Sequence, residues 1–303
     1  MVVSHDSGTA RPVAGVFWML VTGLLFVIMT AVVKNLGDRL PPAETSFLRY
    51  ALGLGFLIPM LGPIRAARLD RRTLGIFALR GVAHSAGVIL WFYAMTQIPL
   101  AEVTAINYLN PVFVTIGAAL FFGEALAARR LGAIVAALIG ALIILRPGAR
   151  AIEPGHVAML ATAVFFAVSY LIAGRLAGRV SPAAVVGMLS ITVTIGLAPF
   201  ALMNWVTPTP AELGWLFLVA GVATAGHYTM TLAFAAAPLT VTQPVTFLQL
   251  VWSVALGALF FDEGLDPWVI GGGTVIISAV TFITWREAVL KRRVTPSPHQ
   301  TKG

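Results

Sequence analysis

The chain has 303 residues, 58% of them hydrophobic and only 11% charged, with a mean hydropathy of +0.91. A water-soluble domain carries roughly 25% charged residues, so a soluble enzyme with a charged shell is excluded. The net charge of +8 and the pI near 10.6 do not point to nucleic acid, because the basic residues sit in short runs between apolar segments rather than along one helix face. With no cysteine in the chain, disulfides, thiolate metal sites and cysteine nucleophiles are excluded as well.

Residues 1–12 are polar and carry one basic residue, Arg11. The apolar run Val13–Val33 is longer than a signal-peptide core and lacks a clear cleavage site, so it reads as a membrane span. Nine further apolar segments follow, near Glu44–Gly62, Leu74–Tyr93, Ala101–Phe122, Leu131–Leu145, His156–Ala173, Pro182–Met203, Leu213–Phe234, Thr240–Phe261 and Trp268–Trp285. Turn residues mark their ends, among them Pro41-Pro42, Gly62-Pro63, Pro99, Arg146-Pro147-Gly148, Pro182, Pro210, Pro238 and Pro267. After Arg286 the tail is basic, then polar, and reads as disordered. Segments of about 20 residues that are apolar on every face are helices, since barrel strands need roughly ten residues of alternating polarity. The expected fold is therefore all-α: a polytopic membrane protein with ten transmembrane helices.

One stretch occurs twice. Pro99–Glu124 reappears as Pro238–Glu263 at a constant offset of 139, with Pro99/Pro238, Leu109/Leu248, Val112/Val251, Phe121/Phe260, Phe122/Phe261 and Glu124/Glu263 in register. Gly75/Gly214, Gly87/Gly226, Ala94/Ala233 and Gly132/Gly271 keep the same offset. This is a duplication of half the chain, with expected units at 13–147 and 156–286 flanked by cytoplasmic tails at 1–12 and 287–303. Placing the first terminus in the cytoplasm puts fourteen Lys and Arg in inside segments and only Lys34, Arg39, Arg146 and Arg150 outside, as the positive-inside bias requires. Five spans per unit, an odd number, send the second unit in from the opposite side. Inverted repeats are the architecture of many secondary transporters, with the solute site near the midplane between them.

Asn110-Pro111-Val112-Phe113, Phe121-Phe122-Gly123-Glu124, Gly132, Gly140, Arg146-Pro147-Gly148 and Phe47-Leu48-Arg49-Tyr50 resemble the first repeat of the EamA family in the drug/metabolite transporter superfamily. The second copy departs from that pattern, with Leu250 in place of the proline and Asp262 in place of the glycine, so the two halves should bend differently. The resemblance covers essentially the whole chain and looks closest to the aromatic amino-acid exporters. It implies a carrier of small metabolites such as amino acids, S-adenosylmethionine or riboflavin.

Polar groups inside spans carry the solute chemistry, because each costs free energy in lipid unless paired or facing water. Arg80, His84, Gly87/Val88 and Trp91 recur at helical steps and form one stripe; a histidine at mid-membrane can also bond a neighbouring helix. Asn107 and Tyr108 lie one turn before Pro111, which frees a carbonyl and should kink the helix. The duplicated segment places Gln243 and Gln249 beside Pro244. Phe166, Tyr170 and His227 complete the expected substrate-binding set, and Tyr108, Phe166, Tyr170 and Trp91 offer flat apolar faces. Gly132, Ala136 and Gly140 form a small-residue stripe for helix packing. Arg80, nearer the cytoplasmic end, either snorkels or contributes the one charge available at that depth, so phosphorylated and multiply anionic solutes, which need an Arg or Lys clamp, are expected to be excluded.

No HExxH, GxSG or Walker motif is present, and His84-Ser85 are adjacent and diverge on a helix, so no enzyme, cofactor, metal or direct use of ATP is expected. A channel is disfavoured because no charged or carbonyl ring is evident. Glu102, within a turn of the outer end of its span, is the only intramembrane acid, so uniport or exchange is expected over proton antiport. The expectation is an inner-membrane transporter, monomer or weak dimer, moving neutral amino acids outward. Import of a metabolite such as S-adenosylmethionine or riboflavin is the alternative.

Overall fold

The computed structural model describes residues 12–67, 69–122, 128–149, 151–176, 180, 182–236, 245–246 and 248–294. Its elements are helices: α1 (Pro12–Leu36), α2 (Pro42–Gly53), a 3₁₀ stretch (Leu54–Met60), α3 (Leu61–Ala66), α4 (Arg71–Gln97), α5 (Leu100–Asn107) and α6 (Asn110–Phe122). They continue with α7 (Ala128–Leu145), α8 (Pro154–Leu176), α9 (Pro182–Met203), α10 (Pro210–Ala236), α11 (Leu248–Phe260) and α12 (Pro267–Val294). Six stretches are long and apolar enough to cross a membrane: Val13–Leu36, Arg71–Gln97, Leu100–Phe121, Pro154–Ala173, Ala184–Met203 and Pro210–Met230. Leu131–Leu145, Leu248–Phe260 and Pro267–Phe282 are shorter apolar helices.

Local chemistry sets the helix starts. Prolines 12, 42, 154, 182, 210 and 267 each open a helix, where the missing N–H is unneeded and φ is already helical. Asp70 Oδ1 accepts from Thr73 N–H at 3.0 Å to cap α4. Thr209 and Glu212 form a reciprocal capping box on α10, Thr209 N–H to Glu212 Oε2 at 2.7 Å and Glu212 N–H to Thr209 Oγ1 at 3.3 Å.

Two expected spans are interrupted. The expected Glu44–Gly62 helix is divided among α2, the 3₁₀ stretch and α3, in a segment containing Gly53, Gly55 and Pro59; glycine and proline both weaken a continuous helix. The expected Ala101–Phe122 helix breaks at Tyr108-Leu109, one turn ahead of Pro111, as the lost hydrogen bond requires.

The packing repeats itself across the two halves. α1 lies along α10 and α8 lies along α4. Phe26 on α1 rests on Gly226, where a Cβ would stand 3.1 Å from its ring; Phe166 on α8 rests on Gly87, where a Cβ would stand 2.7 Å away. Thr22 bonds Thr229 at 2.9 Å, and Thr162 bonds the Gly87 carbonyl at 3.3 Å. α7 packs on α12 and α2 on α9. At the α7–α12 crossing a Cβ on Gly140 would lie 2.7 Å from the Gly272 carbonyl oxygen, whereas Gly132 has nothing within 4 Å. Of the expected small-residue stripe, Gly140 makes the close contact.

Ionic contacts gather at one end of the bundle. Lys34 pairs with Glu263 at 2.8 Å and Arg39 with Glu212; Arg146 pairs with Asp266, and His156 with Glu102 at 2.5 Å. Glu44, fully buried, accepts from Val206 N–H at 2.9 Å.

Candidate substrate cavity

The centre of the site is His84 on α4, 8% exposed. Tyr50 Oη on α2 lies 3.2 Å from its Nε2, and Ser169 Oγ on α8 lies 3.2 Å from Nδ1. One ring nitrogen of a neutral imidazole donates and the other accepts, and both hydroxyls can take either role. The ring stacks on Phe166 with centroids 4.8 Å apart and planes at 27°. Trp91, two turns further along α4, meets the edge of the same phenylalanine at 5.8 Å. The helical stripe therefore presents His84, Gly87 and Trp91 to one face of α8, because positions three and four apart share a helix face. Gly87 allows this: a side chain there would displace the Phe166 ring.

Two arginines enter the same region. Arg49 is 9% exposed, with its guanidinium 4.0 Å from the centroid of the Tyr50 ring. Arg80 is 6% exposed and donates to the Val185 carbonyl at 3.2 Å. The Nε atoms of Arg49 and Arg80, Trp91 Nε1 and Asn107 Oδ1 are buried without a hydrogen-bond partner among the described residues. Buried polar groups are ordinarily paired, so these unpaired atoms mark a candidate binding site. Tyr170 acts electrostatically on Arg80 and is itself half-exposed.

Of the other expected site residues, His227 lies close enough to act electrostatically on His84, whereas Tyr108 and Gln249 contact other segments. His227 on α10 meets Phe26 edge-on at 5.1 Å, a histidine–phenylalanine pair that parallels His84 and Phe166 in the other half. Tyr108 donates to the Thr246 carbonyl at 3.0 Å and so ties the α5–α6 break to the segment before α11. Gln249 packs on Gly23 of α1, where a Cβ would come within 3.0 Å of its Cγ. Thr104 and Ser253 bond at 2.5 Å between α5 and α11. Gln243 lies outside the described residues. Sequence reading missed Tyr50 and Arg49 as cavity groups; the available signal was an arginine–tyrosine pair within a largely apolar stretch. Arg49 also corrects the expectation that Arg80 is the only charge at that depth, since a second guanidinium stands beside His84.

A cavity of about 540 Å³ lies instead at the ion-paired end, lined by Pro99, Glu102, Arg146, Glu263, Asp266 and Trp268 among others and by none of the expected site residues. The His84 cluster is the candidate site because the buried Nε–H groups of Arg49 and Arg80 and the indole N–H of Trp91 lack partners among the described residues. The cavity at the helix ends forms a vestibule beside the ion pairs. There Glu102 and His156 are both buried, and His156 Nδ1 accepts from Glu153 N–H at 3.0 Å. The ring proton therefore resides on Nε2 and is donated to Glu102. Among the described residues no group of His, Asp or Glu could hold a metal.

The EamA-like transporter family model matches residues 13–146 and again 153–285. The chain belongs to the EamA-like transporter family. It is 31% identical over 290 residues to a riboflavin transporter of Rhizobium johnstonii, covering 94% of this chain and 95% of that one. The pseudopaline exporter CntI of Pseudomonas aeruginosa is 28% identical over 88% of this chain and 94% of its own. The S-adenosylmethionine uptake transporter of Rickettsia prowazekii is 26% identical over 90% and 93%. A crystal structure covering 96% of this chain and 100% of its own superposes with a TM-score of 0.59 at 19% identity, a likeness of fold. These relatives are transporters of small metabolites, and this chain is a multi-pass membrane protein of the same transporter family with two repeats.

Proposed function

We propose that this protein is a secondary carrier of small metabolites that bear a flat apolar portion and a carboxylate, with aromatic and other neutral amino acids as the first candidates and export as the direction. The observation that carries the reading is the His84 cluster: a stacked aromatic wall beside buried, unpartnered N–H groups. Stacking suits a planar ring, and guanidinium or indole N–H groups suit a carboxylate. Alternating access would come from the two units at 13–147 and 156–286, entering the inner membrane from opposite sides with both termini in the cytoplasm. The repeated packing of α1 on α10 and α8 on α4 supports that arrangement. With this orientation the ion-paired end and the cavity beside it face outside.

Riboflavin import is the second reading. The Rhizobium johnstonii relative, and another from Vibrio cholerae at 30% identity, are both riboflavin transporters, and a flavin ring also suits the aromatic wall. The two separate in proteoliposomes holding the purified chain. Counterflow of labelled phenylalanine should be competed by aromatic amino acids under the first reading. Flux of labelled riboflavin, indifferent to amino acids, would favour the second, and no counterflow with any metabolite would remove the carrier reading.

A further inference from the structure

Arg49 and Arg80 are each more than nine-tenths buried, and neither has a carboxylate partner among the described residues. Arg49 touches the Tyr50 ring, and Arg80 reaches the Val185 carbonyl. Each leaves its Nε unbonded. Both act electrostatically on His84, and Arg49 acts on His227 as well, so the two guanidinium charges share the central region. The acidic side chains that make ion pairs, Glu102, Glu212, Glu263 and Asp266, do so at the vestibule end, and Glu44, whose Oε2 accepts from Val206 N–H, acts on Arg39 at that same end. Two cations in a low-dielectric interior without a counter-charge are costly, and a guanidinium does not lose its proton.

We infer that Arg49 and Arg80 are an anion anchor, and that the solute this carrier prefers is an organic carboxylate of net negative charge rather than a zwitterion. The inference rests on the carrier reading above and replaces its first candidates, keeping the ring and the carboxylate and dropping the ammonium. A zwitterion would bring a carboxylate to the arginines but also an ammonium, and a cation in this region is repelled by both guanidinium groups. The corresponding 2-oxo acid keeps ring and carboxylate and lacks the ammonium. A consequence concerns direction. A monoanion carried alone moves charge, so an inside-negative potential drives it outward, to a concentration ratio of about 50-fold per 100 mV.

The test uses three probes with one ring and three charges: phenylpyruvate, L-phenylalanine and phenethylamine. Each is loaded into proteoliposomes of the full chain, and a potassium diffusion potential of about 100 mV is set with valinomycin in either sign. Phenylpyruvate is expected to move fastest, to follow the sign of the potential, and to lose about tenfold or more of its flux in Arg49→Gln but less in Arg49→Lys. If phenylalanine moves at least as fast and phenylpyruvate ignores the potential, the anion anchor is overturned while the carrier reading stands. If none of the three moves, that ring-and-carboxylate reading fails, and melting of the empty protein in detergent judges the anchor separately. An uncompensated buried charge makes Arg49→Gln at least as stable as the parent. A clear drop in its melting temperature would show Arg49 serving the fold and overturn the inference.

Discussion

The Glu263 carboxylate takes Lys34 Nζ at 2.8 Å and also accepts the Leu100 N–H, at 3.0 Å to Oε2. Lys34 in turn donates to the Ile98 carbonyl at 2.8 Å. Three segments, the end of α1, the α4–α5 connection and the end of α11, are thus fastened at one point. Glu263 is the repeat counterpart of Glu124, so a closure at one end of the bundle is built from a residue whose twin ends the equivalent segment of the first half.

Glu263→Gln should loosen this end. A hydrogen bond to a charged group contributes roughly 1.5–3 kcal/mol, so the open population should rise on the order of tenfold or more. The chain has no cysteine, which makes a single Ala101→Cys in the vestibule a clean reporter. Labelling by a membrane-impermeant maleimide added to intact cells should accelerate several-fold in the Glu263→Gln background. Labelling only from the cytoplasmic side would reverse the proposed orientation.

His84→Ala removes the ring stacked on Phe166 and both hydroxyl contacts, whereas His84→Phe keeps the stack alone. Lost buried hydrogen bonding of roughly 1–3 kcal/mol predicts a ten- to hundredfold weaker apparent affinity in both, and a larger loss in the alanine variant. Gln243→Ala should also lower flux. Saturation curves in proteoliposomes, with yield and melting unchanged, provide the check. Unaltered curves would make these groups helix glue.

Gly140→Val and Gly132→Val separate packing from composition. At Gly140 the new Cβ meets the Gly272 carbonyl oxygen at 2.7 Å, a backbone atom that cannot swing away; at Gly132 it meets nothing within 4 Å. Overpacking costs roughly 1–3 kcal/mol, so Gly140→Val should melt several degrees lower in detergent. Gly132→Val should melt close to the parent, and equal melting of the two would contradict the α7–α12 contact.

The cap at Asp70 gives a pH dependence with a defined sign. The Thr73 hydroxyl, then its N–H, holds this carboxyl below its ordinary value of 3.8. A carboxylate stabilised in the folded state contributes fully above that ordinary value and loses its contribution as pH falls through the lower folded value. The melting difference between parent and Asp70→Ala should therefore be constant near neutrality and shrink only below about pH 4. A difference that grows on acidification would contradict the cap.

The sequence alone revealed the class of protein, because an apolar chain with few charges has only the membrane as solvent, and revealed the duplication, because register survives where side chains are confined. The break before Pro111 was also legible, since a missing N–H acts locally whatever packs around it. The α4 stripe could be read as one face from its spacing. What lay opposite could not: Phe166 and Ser169 reach His84 only because α8 packs along α4, and Tyr50 only because α2 does. The burial of Arg49 depends in the same way on neighbours that are distant in the chain, α9 and α10 packing on α2. The sequence lists which charges exist, but whether an arginine is paired, solvated or left without a counter-charge depends on the dielectric and partners around it, and those exist only in the folded bundle.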